Sequence, residues 1–177
     1  MSRVIAKNTL SFSCSKSMKY LRTPKDIWEE LSKEFAFTCD MCASDNNHLL
    51  PKYYTAENSA LDKDWDNEIG YIHPLFDGKI GKFVEKASNS KGTFVFLLPA
   101  STHTKYFHEF FYQKPNVEIR FLRKPKMGFR FGNDDGTEDD EKSIGYIKPL
   151  MICIMRNNLS VVKNAIQDIS HSVRRSS

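Results

Sequence analysis

The hydrophobic residues near the start of the chain recur with the period of a helix. Ile27, Leu31 and Phe35 share one face of such a helix, and their spacing predicts that it runs to about Phe35. Thr23 is the expected N-cap, and Pro24 suits the first helical position because the amide that proline lacks would be unpaired there anyway. The sequence therefore predicts an amphipathic helix that begins directly after Thr23.

Continuous and alternating apolar runs predict the strands. Residues 93–98 are apolar almost throughout, which predicts a strand buried on both faces of a sheet. Residues 117–122 alternate apolar and polar side chains, as is typical of a half-exposed strand. Similar patterns predict strands at residues 36–41, 69–72 and 150–155, and helices at residues 80–88, 104–111 and from Ser160 onward. This alternation predicts an α/β fold, in which a mostly parallel sheet with an antiparallel edge carries helices on both faces.

Two polar segments interrupt the pattern. Residues 45–66 are irregular and long for a simple connection, which favours a functional loop. Residues 134–141 are mostly acidic and predict a solvated, mobile loop that could also bind a basic protein partner. We interpret residues 1–19 as a flexible arm, residues 20–156 as the folded domain, and residues 157–177 as a C-terminal helix with a basic tail that could also contact a protein.

Composition narrows the class of protein. The 177 residues are 40% hydrophobic and 27% charged, which predicts one globular domain. The net charge of +4 is compatible with a polyanionic partner such as DNA. No apolar run approaches the length of a membrane span, so we expect no membrane partner.

The cysteines suggest a compartment and one alternative site. Cys14, Cys39, Cys42 and Cys153 lack the spacing of a disulfide framework, which predicts a reducing, intracellular location. Cys39 and Cys42 could form a redox pair or half a zinc site, but no second pair accompanies them. A buried strand end followed by a tight turn is the interpretation we favour, and we predict no metal site.

Candidate chemistry follows the predicted strand at residues 69–72. It ends abruptly in the tetrapeptide His73-Pro74-Leu75-Phe76. In open α/β sheets, ligands bind at the carboxyl ends of the strands. We therefore expect this tetrapeptide to contribute to the functional site.

An ordered series of motifs extends along most of the chain. It comprises Thr23-Pro24, Phe37-Thr38-Cys39-Asp40-Met41-Cys42-Ala43-Ser44, Tyr53-Tyr54-Thr55, Leu61 with Trp65, Phe96-Leu97-Leu98-Pro99-Ala100, Thr102-His103-Thr104 and Phe107-His108. Over about residues 20–156, their order and spacing resemble the phage-type DNA N-6-adenine methyltransferases, a family within the S-adenosylmethionine-dependent methyltransferases. The resemblance implies a Rossmann-like sheet, S-adenosylmethionine as cofactor, and DNA as the partner, with an adenine swung out of the duplex.

The resemblance also implies roles for particular residues. Asp40 and Ala43 would lie on the loop that approaches the cofactor, and Thr23 and Pro24 would border the same pocket. Tyr53 and Tyr54 belong to the long loop that would shape the target side. A basic stretch, which includes Arg123, Lys126 and Arg130, would contact DNA phosphates; a solvated hairpin edge is an equally good interpretation of that stretch.

The tetrapeptide departs from the family motif, which reads Asn or Asp, Pro, Pro, aromatic. In that motif a side-chain oxygen and a backbone carbonyl accept the two hydrogens of the adenine N6 amino group. Here His73 can accept through one ring nitrogen if it is neutral, the Pro74 carbonyl is present, and Phe76 can stack on the base. Two functions stay open: a DNA adenine-N6 methyltransferase with an atypical motif, or a catalytically degenerate protein with a structural or binding role, for example in a virus or phage assembly.

Overall fold

The computed structural model describes residues 21–76, 78–123, 129–132, 138–144 and 149–158. Its main sheet has the strand order β2-β3-β4-β8-β5. These strands are β2 (Cys39–Asp40), β3 (Ile69–Ile72), β4 (Thr93–Pro99), β5 (Val117–Phe121) and β8 (Leu150–Arg156). β2, β3 and β4 run parallel, whereas β8 runs antiparallel between β4 and β5. The predicted α/β fold is confirmed. The sheet is not mostly parallel, however, because two of its four pairings are antiparallel, and the antiparallel strand β8 lies inside the sheet rather than at its edge.

Strand β4 forms the centre of two hydrophobic cores. Phe94, Phe96 and Leu98 pack into the core on one face, and Val95 and Leu97 pack into the core on the other. Helix α2 (Ile80–Ser88) contributes buried side chains to the first core, and helix α1 (Lys25–Glu34) contributes to the second. The continuous apolar run at residues 93–98 is therefore buried on both faces, as predicted, because helices cover both faces of the sheet.

Helix α1 begins differently from the prediction. Pro24 occupies the N-cap position, and no side chain caps the helix. The hydroxyl of Thr23 bonds Tyr71 and His73 instead, so it is not the N-cap. The prediction of Thr23 as the cap is wrong because a tertiary hydrogen bond takes the group that a local rule would assign to the helix.

A second, three-stranded sheet was not predicted. It consists of β1 (Leu21–Arg22), β6 (Phe129–Gly132) and β7 (Glu138–Ile144), all paired antiparallel. Glu138–Ile144 includes half of the acidic run, so the predicted loop is wrong for residues 138–141, which form a strand. Antiparallel pairing with β6, which comes shortly before β7 in sequence, supplies the backbone hydrogen bonds that the charged local sequence does not predict.

The aromatic segment after β4 is helical, as predicted, but with π-helical turns over Phe107–Phe111. Phe107 and Phe111 are buried in the first core, which supports packing over base stacking for these two rings. The predicted arm before residue 20 and the predicted helix after Ser160 lie outside the described residues. Within the described part of the chain, no helix is both long enough and apolar enough to span a membrane.

Candidate functional site

The carboxyl ends of β2, β3 and β4 meet at one edge of the main sheet. Asp40 of β2 is paired with Tyr71 of β3, and Tyr71 with Val95 of β4. His73 follows immediately after the last residue of β3. The tetrapeptide therefore lies at the edge where the strand-end rule places a ligand.

Three side chains form a hydrogen-bonded row beside this edge. The Thr23 Oγ1 atom lies 2.8 Å from the Tyr71 phenol oxygen and 3.0 Å from His73 Nδ1. Tyr71 and His73 are two residues apart, so their side chains lie on the same face of the extended chain. Thr23 reaches them because it directly precedes α1, which packs on that face.

Burial keeps both ring side chains of this row uncharged. Desolvation lowers the pKa of His73 from its ordinary value of 6.5 to about 4, although the side chain retains some solvent contact. Burial also raises the pKa of Tyr71, against a smaller opposing effect of its hydrogen bond with Thr23. His73 is consequently a neutral imidazole at pH 7, with one donor nitrogen and one acceptor nitrogen.

The rest of the tetrapeptide alternates between buried and exposed positions. Pro74 is buried, and Leu75 is 44% exposed. Phe76 is half-buried, contacts both cores, and has its ring centroid 5.4 Å from that of His73. The predicted stacking residue therefore lies beside His73, partly supported by the protein interior.

Asp40 is 3% exposed and is the buried charged residue of the described chain. Its Oδ2 accepts from the Leu49 amide at 3.1 Å and its Oδ1 from the Cys42 amide at 3.3 Å. Burial raises its pKa, and the two amide hydrogen bonds oppose that rise. Asp40 thus fixes the loop that follows β2, and each carboxylate oxygen retains a second acceptor direction.

The segment after Asp40 adds a short extended piece to the edge of the sheet. Tyr53 forms a parallel bridge with Asp40, and the Ala43 amide donates to the Tyr54 carbonyl at 2.8 Å. Tyr54 packs against the first core, so it is a less accessible DNA-binding candidate than Tyr53. Ala43 lies half-buried on this loop, directly beside the Asp40 turn.

Sequence reasoning missed the ring that supports Tyr53. The exposed His48 ring stacks on Tyr53 at a centroid distance of 4.2 Å and an interplanar angle of 4°. The Tyr53 hydroxyl donates to Asp45 at 3.0 Å. Tyr71 was also missed, but its position two residues before His73 on a strand was a usable signal.

The predicted basic residues divide into two groups. Arg123 is exposed and follows β5, which runs in the same direction as β4, so it lies at the same edge of the sheet as His73. The backbone of Arg130 in β6 pairs with Arg22, the residue before Thr23. Lys126 lies outside the described residues. The pairing brings the strand that contains Arg130 beside the residue that precedes Thr23, and contact with phosphate stays a prediction.

Cys39 lies at a buried strand, as the interpretation we favoured for the cysteine motif requires. Cys39 is buried in β2, and burial raises the pKa of its thiol to about 12. Cys39, Cys42 and Cys153, the cysteines of the described residues, form no disulfide bonds. Among the described residues, no group of three or more His, Cys, Asp or Glu side chains is arranged to hold a metal ion.

Comparison with known proteins gives one match to a family. The family described as DNA N-6-adenine-methyltransferase (Dam) matches residues 13–175 of the chain. A search of curated proteins finds no match. The family match covers nearly the whole sequence, including every described residue of the site.

Proposed function

Because the chain belongs to the DNA N-6-adenine-methyltransferase family, we propose that it transfers a methyl group from S-adenosylmethionine to N6 of an adenine in DNA. The observation that carries this proposal is the uncharged His73, which is hydrogen-bonded at the end of β3 beside Asp40 of the neighbouring strand. The same proposal implies a Rossmann-like methyltransferase sheet and an adenine flipped out of the duplex.

The side chains at the edge of the sheet suit the proposed cofactor. Asp40 supplies a desolvated carboxylate with spare acceptor directions, and Thr23 supplies a half-buried hydroxyl. Such groups can bind the ribose hydroxyls or the ammonium group of S-adenosylmethionine. Pro24, which follows Thr23, and Ala43, which lies on the loop after Asp40, would border the cofactor. When bound, the cofactor supplies an electrophilic methyl group on a positively charged sulfur.

The tetrapeptide would hold the target base. The N6 nitrogen is a poor nucleophile because its lone pair is delocalised into the ring, so its orientation must be fixed. We propose that the Pro74 carbonyl accepts one amino hydrogen, that the neutral His73 ring binds the adjoining edge of the base, and that Phe76 contacts its face. Neutrality is required because a cationic imidazole would repel a positively charged donor nearby.

The DNA would approach from the edge of the sheet that carries the tetrapeptide. Tyr53 with His48 offers an aromatic surface there, and Arg123 offers an exposed cation for phosphate. Arg130 would add a second cation from the small sheet, and Lys126 a third. The spacing of the cysteines in the sequence is the reason to propose a reducing, intracellular compartment.

Transfer of a labelled methyl group from S-adenosylmethionine to adenine-containing DNA tests the proposal. We expect the wild-type chain to label DNA and the His73→Ala variant to lose about 100-fold or more in rate. Calorimetric titration with S-adenosylmethionine should give heat of binding for both chains. A wild-type chain that binds the cofactor but labels no DNA would overturn the proposal.

The second candidate function is a degenerate family member that acts as a structural or binding component. The observation that favours it is the pair of changes in the motif, since His73 replaces an Asn or Asp and the exposed Leu75 replaces a Pro. The double variant His73→Asn, Leu75→Pro separates the two candidates. If the wild type is inactive and this variant methylates DNA, the degenerate function is correct.

A further inference from the structure

We propose that Tyr71 and Thr23 are positioning residues that hold His73 in one tautomer, with Nδ1 as the acceptor and the ring proton on Nε2. The inference rests on the direction in which protons can be donated along the row of three side chains. Its structural part is independent of the proposed function, whereas its use in catalysis rests on that function.

Tyr71 sets the direction of the row. Its side chain is 1% exposed, and within the described chain its phenol oxygen has one hydrogen-bonding partner, Thr23 Oγ1 at 2.8 Å. A buried hydroxyl hydrogen without an acceptor costs about 1–3 kcal/mol. Since burial also keeps the phenol protonated, Tyr71 satisfies its hydrogen by donating it to Thr23.

Thr23 passes this direction on to His73. A threonine hydroxyl has one hydrogen to donate, and the described structure offers its oxygen two polar partners, Tyr71 and His73 Nδ1 at 3.0 Å. With Tyr71 as a donor, the hydrogen of Thr23 has Nδ1 as its acceptor. The opposite arrangement, in which Nδ1 carries the proton, would leave the hydrogen of either Thr23 or Tyr71 without an acceptor in the described chain.

The tautomer decides what the ring can recognise. When Nδ1 accepts from Thr23, the remaining nitrogen Nε2 is an N–H donor. A base held against that nitrogen must present an acceptor, such as the ring nitrogen beside the adenine amino group. The amino hydrogens then depend on the Pro74 carbonyl, so His73 does not simply replace the oxygen of the family's Asn or Asp.

The packing around the row makes the arrangement rigid. Trp28 and Phe37 contact the Tyr71 ring edge-on, with centroid distances of 5.2 and 5.6 Å. The backbone of Tyr71 is paired on both sides, with Asp40 and with Val95. Tyr71 therefore cannot turn its hydroxyl away without disturbing the second core.

Nitrogen-15 NMR of His73 tests the proposal without reference to activity. In the wild-type chain at pH 7, we expect a pyridine-type shift for Nδ1 and a pyrrole-type shift for Nε2. Thr23→Val, which removes the hydroxyl but keeps the shape, should move both shifts toward a mixture of tautomers. Thr23→Ser should restore the wild-type spectrum. Tyr71→Phe removes the donor that sets the direction of the row, so it should also move the shifts toward a mixture of tautomers.

A matched control separates this effect from general disturbance of the fold. Thr93→Val makes the same chemical change at the amino end of β4, at the opposite edge of the sheet, and should leave the His73 shifts unchanged. A pyrrole-type Nδ1 in the wild type, or unchanged shifts in Thr23→Val, would overturn the proposal.

Methyl-transfer kinetics connect the tautomer to function. Groups that orient a functional histidine typically contribute about 10- to 100-fold, so we expect kcat/KM to fall by such a factor in Thr23→Val and to recover in Thr23→Ser. If the spectra behave as expected but the wild type transfers no methyl group, the proposed function fails and the tautomer assignment stands. If methyl transfer proceeds at the wild-type rate with mixed tautomers, the catalytic part of the inference is wrong.

Discussion

Replacing His73 by asparagine should remove a defined part of the acid sensitivity of the fold. The folded chain holds the pKa of His73 at about 4, against an ordinary value of 6.5, because burial disfavours the charged ring. Below pH 6.5 the unfolded chain therefore binds a proton that the folded chain does not, and stability falls as the pH falls. The stability that the neutral His73 ring contributes is fully present above pH 6.5 and is lost progressively as the pH falls to about 4.

The size of the effect follows from the same two values. At about 1.36 kcal/mol for each pH unit between 6.5 and about 4, the full difference is roughly 3 kcal/mol. Between pH 7.5 and pH 5 the free energy of unfolding is expected to fall by about 2 kcal/mol. Water at the accessible part of the His73 ring makes this loss smaller. His73→Asn keeps a polar group beside Thr23 but cannot be protonated, so this part of the loss should disappear.

Urea unfolding at pH 7.5 and pH 5 measures the effect. The free energy of unfolding of the wild type should fall by about 1–2 kcal/mol more than that of His73→Asn. His103→Asn, in an exposed turn after β4, is the matched control and should follow the wild type. NMR titration of the His73 ring should give a midpoint well below 6.5. Equal losses in wild type and His73→Asn, or a midpoint near 6.5, would refute the reasoning.

Three further changes probe the fold around the site by urea unfolding. Gly92→Ala should destabilise by about 1–3 kcal/mol, because the new Cβ would lie 2.5 Å from a backbone oxygen, whereas Gly78→Ala, with no atom within 4 Å, should change stability by less than about 0.5 kcal/mol; equal effects would contradict the packing argument. Asp40→Asn should cost about 1–3 kcal/mol because one of the two backbone amides loses its acceptor, and a neutral result would show that those hydrogen bonds are not needed. Arg120→Gln should cost about 1 kcal/mol at pH 7, since Arg120 lowers the pKa of Glu34 through its hydrogen bond. That cost should diminish as the pH falls from 4.5 through the lowered pKa of Glu34, and a cost that does not diminish below pH 4.5 would argue against an ionic origin.

The helices and strands that were predicted correctly are those whose burial follows from the pattern of their own apolar residues. Helix α2 lies where the spacing of its apolar residues placed it, at Ile80–Ser88, and the core strand Thr93–Pro99 extends one residue beyond its prediction. Both consist of residues whose burial pattern can be read from the sequence, because one face of α2 packs on the first core and β4 is covered by a core on each face. Their ends also coincide with a polar residue or a proline.

The small sheet shows where such reasoning stops. Leu21–Arg22 is too short to show any periodicity, and its pairing with Phe129–Gly132 joins segments more than 100 residues apart. Glu138–Ile144 carries four acidic residues, which are depleted in strands. The first strand depends on a partner that no short window of sequence contains. The second pairs with a neighbouring strand in sequence despite its acidic residues, so local propensity gives the wrong state for both.

Thr23, which was wrongly predicted as the N-cap of α1, lies in the candidate functional site. A threonine before Pro24 satisfies the rule for an N-cap, and such a cap is worth about 1 kcal/mol, yet α1 forms without one. The hydroxyl instead bonds Tyr71 and His73, at the edge of the sheet where the candidate site lies. A local rule that gives way to a tertiary hydrogen bond is expected at functional sites. If so, Pro24→Ser, which places a capping hydroxyl at the N-cap itself, should stabilise the fold by roughly 1 kcal/mol and leave the His73 tautomer intact. Loss of the NMR signature in that variant would show that Pro24, and not Thr23 alone, holds the row in place.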